Sequence, residues 1–347
     1  MHRSTALLVA IVAIVVVVAL VLRNGDGGPG EDAAAPSPTT SATPDEGDPD
    51  TSMTATSPTA PSSTVPTTST TSPVQELPPG VEACDVYGSV TTTGQIVSGE
   101  LVEASGLAAS RTTSGVLWSH NDSRGGPALF AFDVNGADLG AHVIPDAFAL
   151  DWEDIAAGPG PDGTGAFLYV GDTGDNFGIR DGVVNLWRVP DQDPATIGGT
   201  FGEAAAIVLQ MPDGPHDAEG LFIDPIDPAV YLVTKSRDAT FVFRGSLTPG
   251  AEPQPMDLVA TLFLDAEVTG ADITADGSTI AMRGYETVWM WERRAGQDIA
   301  GVLAAQPCEA PSPDEVQGES IAFESGRSYV TVSEGEFPPI HYVASDR

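Results

Sequence analysis

Acidic residues recur in a short motif that is repeated along the chain. The five copies read EASGLAAS, DWEDIAAGP, DAEGLFIDP, TGADITADG and QGESIAFES. Seven of their carboxylates are expected to lie near one another in the fold: Glu103, Asp151, Glu153, Asp217, Glu219, Asp272 and Glu319. Carboxylate oxygens without thiolates are the ligands that Ca²⁺ and Mg²⁺ prefer. We predict that the motifs converge on a divalent cation, Ca²⁺, held by Glu103, Glu153, Glu219 and Glu319. The alternative is that these acids only cap backbone N–H groups where strands begin.

The period of the motif predicts the elements that position these carboxylates. Its central apolar residue recurs at Leu107, Ile155, Leu221, Ile273 and Ile321, at intervals of 48, 66, 52 and 48 residues. Turn residues and short β-branched or aromatic segments follow each copy, and a period of ~50 residues is typical of four-stranded propeller blades. We predict an all-β fold, a β-propeller with five blades. A sixth blade remains an alternative if a degenerate unit lies within 78–100 or 293–315. The last unit lacks a strand, which residues 85–97 can supply.

Positive charge is scarce, and much of it falls in loops that a propeller places beside these acids. The inner strand of a blade begins at one mouth of the central channel, and the loop between the second and third strands opens on the same face. The basic residues of these loops are Arg124, Arg180, Lys235, Arg237 and Arg283. They predict a site for a small anionic or ester ligand bridged by the cation. The alternative is that each pairs with a local acid. The candidates for a general base are His120, Asp151, Asp217 and Glu219.

The overall charge excludes some partners. The chain has 14 Lys+Arg against 49 Asp+Glu, a formal charge of −35, which repels nucleic acid and anionic lipid headgroups. The sequence lacks the G-x-S-x-G, H-E-x-x-H and G-x-x-x-x-G-K-[ST] patterns of common hydrolase and nucleotide sites. The segment GDTGDN, with Asp172, Asp175 and Asn176, suits a calcium-stabilised loop and an ordinary turn equally well.

The N-terminal residues predict a membrane anchor and a stalk. Ala6 to Leu22 form an unbroken apolar run of 17 residues, the lower limit for a membrane-spanning helix. We expect a signal anchor at 1–23, a disordered Ser/Thr/Pro-rich acidic stalk at 24–80 and a monomeric, extracytoplasmic propeller domain at 81–347. The alternative is a cleaved signal peptide and a secreted protein.

The cysteines are Cys84 and Cys308. Outside the cell such a pair predicts one disulfide, which would tie the first folded segment to the last quarter of the chain and support ring closure. Two unrelated buried thiols are the alternative.

The segments DAEGLFIDP…VYLVTK, DWEDIAAGP…FLYVGDTGDN and QGESIAFES…SYVTVSEG resemble the calcium-dependent β-propellers, that is, the gluconolactonase/paraoxonase group and the phytase-like "esterase-like" propellers. The chain most resembles secreted or anchored actinobacterial members. The resemblance covers about residues 100–347 and implies that Glu219, with Glu153 and Glu319, helps to hold a calcium ion over the channel. The single lysine departs from a typical phytase, which places many cations around phosphate.

Two functions follow from these observations. The first is a module that binds a cell-envelope component, a protein or a small ligand, with a cation near the channel. The second is a Ca²⁺-dependent hydrolase of esters, lactones or phosphoesters. The absence of a complete catalytic constellation favours the binding module.

Overall fold

The computed structural model describes residues 74–122, 126–176 and 178–347. The predicted anchor at 1–23 and residues 24–73 of the predicted stalk lie outside these ranges. Among the residues that the structure describes, no helix combines the length and the apolarity needed to cross a bilayer.

Short strands build the described part of the chain. A 3₁₀ turn at Ala83–Val86 leads into β1 (Tyr87–Gln95). The first blade is β2 (Ala104–Ala109), β3 (Val116–Asn121), β4 (Ala128–Asp133) and β5 (Asp138–Val143). The second is β6 (Trp152–Gly158), β7 (Phe167–Asp172), β8 (Val183–Pro190) and, after the short helix α1 (Pro194–Ile197), β9 (Ala205–Gln210).

The remaining blades follow in chain order. The third contains β10 (Ala218–Asp224), β11 (Ala229–Thr234), β12 (Thr240–Gly245) and β14 (Asp257–Leu262), with β13 (Gly250–Pro255) between the last two. The fourth contains β15 (Gly270–Ile273), β16 (Thr279–Arg283), β17 (Val288–Glu292), the helix α2 (Ile299–Leu303) and β18 (Cys308–Ala310). The fifth contains β19 (Gly318–Ser325), β20 (Ser328–Ser333) and β21 (Pro339–Ser345).

The five sheets form a closed five-bladed propeller. The inner strands β2, β6, β10, β15 and β19 each contact the next, and β19 contacts β2. The fourth strand of the last blade is β1, which pairs antiparallel with β21 from Tyr87↔Ser345 to Gln95↔Pro339. The prediction of five blades, closed by residues 85–97, is therefore confirmed. The ranges considered for a sixth blade instead supply β1, α2 and β18 to blades four and five.

One strand was not predicted. β13 leaves the third blade and runs parallel to β9 of the second, with Gly250 opposite Ile207 and Pro255 opposite Gln210. It is a fifth strand at the outer edge of the second blade, so backbone hydrogen bonds join these two neighbouring blades.

Antiparallel order places two sets of loops on one face of the ring, which we call the entrance face. It consists of the loops that precede the inner strands and the loops between the second and third strands of each blade. Its described residues lie within 96–103, 122–127, 144–151, 173–182, 211–217, 235–239, 263–269, 284–287, 311–317 and 334–338.

The four inner strands from β6 to β19 are tied together by two buried aspartates. Asp154 accepts hydrogen bonds from the N–H of Leu221 (2.8 Å) and of Ala271 (3.1 Å). Asp272 accepts one from the N–H of Phe323 (2.7 Å).

The predicted disulfide is present between Cys84 and Cys308. It joins the 3₁₀ turn before β1 to β18 of the fourth blade, at a sequence separation of 224 residues. The covalent bond therefore fixes the segment that closes the ring to the blade beside it.

Replacing Cys84 by Ser should lower the free energy of unfolding by about 2–5 kcal/mol, because a long loop is then free in the unfolded chain. Urea denaturation followed by tryptophan fluorescence measures the change. As a control, a reductant should move the wild-type midpoint to that of Cys84→Ser and leave the variant unaffected. A wild-type midpoint that ignores the reductant would show that closure does not depend on this bond.

Candidate functional site

Two groups of carboxylates meet at the mouth of the channel on the entrance face. One consists of Asp122, Asp151 and Glu153, and the other of Glu153, Asp217 and Glu219. Within each group, one oxygen of every carboxylate lies within 4.8 Å of the others. The residues come from the first three blades, and Glu153 belongs to both groups.

The local backbone explains why these side chains turn toward one another. The pairing of β6 with β7 shifts register between Trp152 and Ile155, and that of β10 with β11 between Ala218 and Gly220. Such irregularities redirect side chains at the start of a strand. Gly174 lies against the same spot, because a Cβ there would be 1.9 Å from Oε1 of Glu153. Glycine is therefore required where the loop passes the cluster.

The central carboxylate lacks the partners that a buried acid normally has. Glu153 is only 4% exposed, and its Oε1 makes no hydrogen bond to any residue that the structure describes. Oδ1 of Asp122 is in the same situation. An ionised oxygen buried without a donor is strongly unfavourable. Together with the all-oxygen donor set, these atoms fit a divalent cation.

Lys235, the single lysine of the chain, is the cation closest to the cluster among the described residues. Its Nζ lies 2.7 Å from Oε1 of Glu219 and 5.3 Å from the centre of the Tyr285 ring. Burial alone would lower the pKa of Lys235, but the Glu219 carboxylate reverses this and raises the pKa above its ordinary value. One carboxylate of the second group is thus already paired.

The electrostatics of the mouth favour neutral carboxyls when no cation is present. Burial raises the pKa of Glu153 well above its ordinary value, and the charges of Glu219, Asp122 and Asp151 add to the effect. Burial and neighbouring acids raise the pKa of Asp122 to about 6 and that of Glu334 to about 7. Like charges in a poorly hydrated space raise each other's pKa in this way.

Two of the four predicted metal ligands lie outside both groups. Glu319 accepts a hydrogen bond from Nε2 of Gln317 (2.8 Å), which also donates to Glu334 (2.7 Å). Glu103 lies close enough to raise the pKa of Asp122 but does not complete either group. These residues surround the cluster. Asp122 belongs to the first group although it was not among the predicted metal ligands. Its position directly after β3, in a loop of the entrance face, could have indicated this role.

Most of the predicted ligand-binding cations are paired locally. Arg180 binds Asp172 and donates to the carbonyl of Gly174 (2.6 Å). Arg283 is fully buried in an ion pair with Glu315. Because both guanidinium groups already have partners, the alternative of local pairing applies to them.

The other two cations differ. Arg237 is 82% exposed and lies 3.1 Å from Glu267, so it is tied to a neighbour at the rim. Arg124 lies outside the described residues.

The candidates for a general base are placed differently from one another. His120 is completely buried, and burial lowers its pKa to about 4. It is therefore neutral, and its ring packs edge-on against Trp152, at 5.7 Å between centroids, so it is not open to a substrate. Asp151, Asp217 and Glu219 lie in the cluster, and burial raises the pKa of Asp151 and of Asp217.

Two acidic positions serve the fold. We expected Asp272 near the entrance mouth, but it bonds to Phe323 and faces Arg111, whose Nη2 is 3.9 Å away. Arg111 follows β2 at the other end of the channel, so that expectation was wrong.

In GDTGDN, Oδ1 of Asp175 accepts the N–H groups of Ile179 (2.8 Å) and Arg180 (3.0 Å). The Asp175 side chain therefore stabilises its own loop through backbone hydrogen bonds, as in an ordinary turn.

Comparison with known proteins finds only distant structural likenesses. No protein-family model matches the chain, and no curated protein matches it. Among solved structures, the PQQ-bound aldose sugar dehydrogenase of Streptomyces coelicolor is 15% identical, with a TM-score of 0.43 over 74% of this chain and 98% of that one. The apo-form soluble aldose sugar dehydrogenase of Escherichia coli is 9% identical, with a TM-score of 0.41 over 74% and 99%. Regucalcin of Agrobacterium tumefaciens, described as a calcium-binding protein, is 13% identical, with a TM-score of 0.38 over 73% and 94%. Likeness at this level carries no inference about activity or cofactor.

The raised pKa values predict how stability depends on pH when chelator has removed all cations. Glu334 binds its proton more tightly in the folded chain than in the unfolded chain. Its stabilising contribution is therefore complete below about pH 4 and is lost as the pH rises through about 7. Between pH 5 and 8 the melting temperature of wild type should fall relative to that of Glu334→Gln, which carries no charge there. Differential scanning fluorimetry of the full-length protein measures both curves.

Glu336→Gln is the matched control, since Glu336 is exposed in the same loop. Its melting temperature should run parallel to that of wild type over this range. Parallel curves for Glu334→Gln as well would contradict the raised pKa of Glu334.

Proposed function

We propose that this protein is an extracytoplasmic, cation-dependent binding module that holds one Ca²⁺ ion at the entrance mouth and presents it to a ligand. The observation that carries the proposal is the buried Oε1 of Glu153, which has no described hydrogen-bond donor and stands where two carboxylate groups meet. A cation there satisfies this oxygen and offsets the repulsion among its neighbours.

The donor set favours calcium over other common metals. Both groups consist of carboxylates alone, without cysteine or histidine, and hard oxygen ligands suit Ca²⁺ or Mg²⁺ better than zinc. Ca²⁺ takes 6–8 oxygen ligands in flexible geometry, whereas Glu219 is partly engaged by Lys235. The carboxylates of Asp122, Asp151 and Asp217 can complete a protein-side set. The coordination positions that remain are those at which a ligand can bind.

The contacts of the first described residues support a binding face that points away from the membrane. Gln75 donates its N–H to Asp276 (3.0 Å), and Arg327 donates to the carbonyl of Gln75 (2.5 Å). Asp276 and Arg327 belong to turns between first and second strands, on the face opposite the carboxylates. A chain tethered to the membrane through residues 1–23 would therefore leave the propeller from the face that does not carry the site.

A hydrolase is the second candidate because a cavity opens on the side of Tyr285, whose ring lies near the Lys235 that pairs with Glu219. It has a volume of about 420 Å³ and is lined by Arg237, Glu267 and Tyr285, among others. This volume suits a small ligand, and the Tyr285 ring lies beside Lys235. In an ester, lactone or phosphoester hydrolase, Asp151 or Asp217 would act as general base. The enclosed position of His120 leaves the catalytic set incomplete, which favours binding over turnover.

Ca²⁺ should raise the melting temperature of the chelator-treated, full-length protein. At a concentration 100-fold above Kd, linkage gives about 2.7 kcal/mol, or about 5–10 °C for a domain of this size. Glu153→Gln should remove most of this rise because it replaces the shared carboxylate. Glu286→Gln, a change of equal charge at an exposed residue of the same face, should keep it. Scanning fluorimetry with Ca²⁺, Mg²⁺ and Zn²⁺ checks the effect and its selectivity.

A melting temperature that Ca²⁺ leaves unchanged in wild type, with elemental analysis showing that the sample is metal-free, would overturn the calcium site. The same samples should show no turnover of ester, lactone and phosphoester substrates. Turnover that Ca²⁺ restores and Asp217→Asn abolishes in a folded protein would decide for the hydrolase.

Removing the one lysine should strengthen calcium binding. The Lys235 ammonium competes with the ion for Glu219, so Lys235→Met should lower the Kd for Ca²⁺ by at least about fivefold. It should also destabilise the cation-free protein, because Glu219 loses its partner. Competition with a fluorescent calcium chelator measures the affinity. Arg237→Met removes a positive charge of the same face that is far more exposed and should change the affinity little. An unchanged affinity in Lys235→Met would show that Glu219 is not a ligand.

A further inference from the structure

The exposed apolar residues of the propeller are concentrated on one face. Eleven large apolar residues are exposed in the described part of the chain. Seven of them lie in loops of the entrance face: Val97, Phe148, Leu150, Ile179, Phe263, Val316 and Phe337. They come from loops of several blades and therefore surround the channel mouth. Exposed apolar side chains gathered on one surface, with polar residues between them, mark interaction sites.

Exposure at these positions is large for residues of this type. Phe263 is 81% exposed, Ile179 is 72% exposed and Val316 is fully exposed. Elsewhere on the described chain the corresponding residues are fewer and better covered, such as Leu258 (45%) and Ile226 (39%). The blades bury their apolar residues effectively, so the uncovered ones on this face are not a general property of the fold.

The charge between these apolar residues decides what can cover them. In the described loops of the entrance face, nine acidic residues are exposed, from Glu100 in the first loop to Glu336 in the last. The one exposed basic residue there is Arg237, which pairs with Glu267. A bound Ca²⁺ would neutralise part of the inner cluster but none of this outer rim.

We infer that the entrance face is a docking surface for a basic protein segment, one that offers lysine or arginine side chains between apolar ones. Such a segment matches both the apolar contacts and the acidic rim. A second copy of this chain would bring two acidic rims together, and an anionic membrane or a nucleic acid would be repelled. This inference depends on rim residues outside the carboxylate cluster, so it does not depend on the calcium site.

The test uses the full-length protein and a fluorescent peptide of repeated Lys-Leu-Gly-Ser units. Two matched peptides replace Lys by Glu or Leu by Ser. Fluorescence anisotropy should show binding of the first peptide alone, both with Ca²⁺ and with chelator. Truncation of central apolar contacts commonly costs about tenfold or more in affinity, so the double variant Phe263→Ser/Ile179→Ser should weaken binding by at least about tenfold. The matched double variant Leu258→Ser/Ile226→Ser, on other surfaces, should bind like wild type.

Charge reversal provides an independent arm. Asp238→Lys/Glu286→Lys changes the rim, and Glu252→Lys/Asp257→Lys makes the same change in net charge at exposed residues away from it. Only the first pair should weaken peptide binding strongly. Equal losses in both pairs would reduce the effect to general electrostatics and overturn the inference. So would binding to anionic phosphatidylserine vesicles that Phe263→Ser/Ile179→Ser abolishes, self-association through this face in analytical ultracentrifugation, or no binding of the basic apolar peptide.

Discussion

Packing of neighbouring blades around the ring is the constraint on which the carboxylate cluster depends, because no single blade contains it. Asp122 belongs to the first blade, Glu153 to the second and Glu219 to the third. Their oxygens approach one another because β2 packs against β6 and β6 against β10, and the ring that β19 closes against β2 keeps these blades in place. Like-charged groups repel, so the cluster opposes this packing, whereas the contacts between blades maintain it, and the hydrogen bonds between β1 and β21 and the Cys84–Cys308 disulfide keep the ring closed. In the absence of any ion, the interactions that stabilise the folded propeller therefore hold the acids together.

Two buried acids of the same strand show how structural and functional carboxylates differ. Asp154 is fully enclosed, but its oxygens accept the N–H groups of Ile155, Leu221 and Ala271. These hydrogen bonds replace the hydration that Asp154 loses on burial, and they link three inner strands. Its neighbour Glu153 is almost as buried, yet Oε1 has no described donor and faces further carboxylates. Packing gives no reason to keep a charge in that position. A carboxylate that weakens the fold unless something binds to it is the pattern expected of a ligand-binding residue.

The fold was largely predictable from the sequence, and the cluster only in part. Blades recur with a fixed period because each must bury the same faces, so five copies of the motif predict five blades and the open last unit predicts a closing strand. β13 escaped prediction because GAEPQP has neither alternation nor β-branched residues. Glu153 and Glu219 hold equivalent places in the repeat and meet in space. Glu319 holds the same place but bonds to Gln317, and Asp122 joins from a strand end that has no counterpart in the motif. Such side-chain partners depend on neighbours distant in sequence, which periodicity does not encode.

The distribution of cations across the propeller explains why one face can be so acidic. On the entrance face, Arg180 forms an ion pair with Asp172, and Arg283 forms one with Glu315. Among the described cations, Lys235 is the one that forms an ion pair with a carboxylate of the cluster. On the opposite face, Arg293 pairs with Asp224 and Arg327 with Glu292, next to the point where Gln75 is bound. The entrance face thereby keeps the negative charge of its inner cluster and of its exposed acidic rim. A field of one sign over one face attracts cations of every size. The inner carboxylates, buried and close together, select a small ion, whereas the exposed outer ones can meet the larger, weakly hydrated charges of a basic protein.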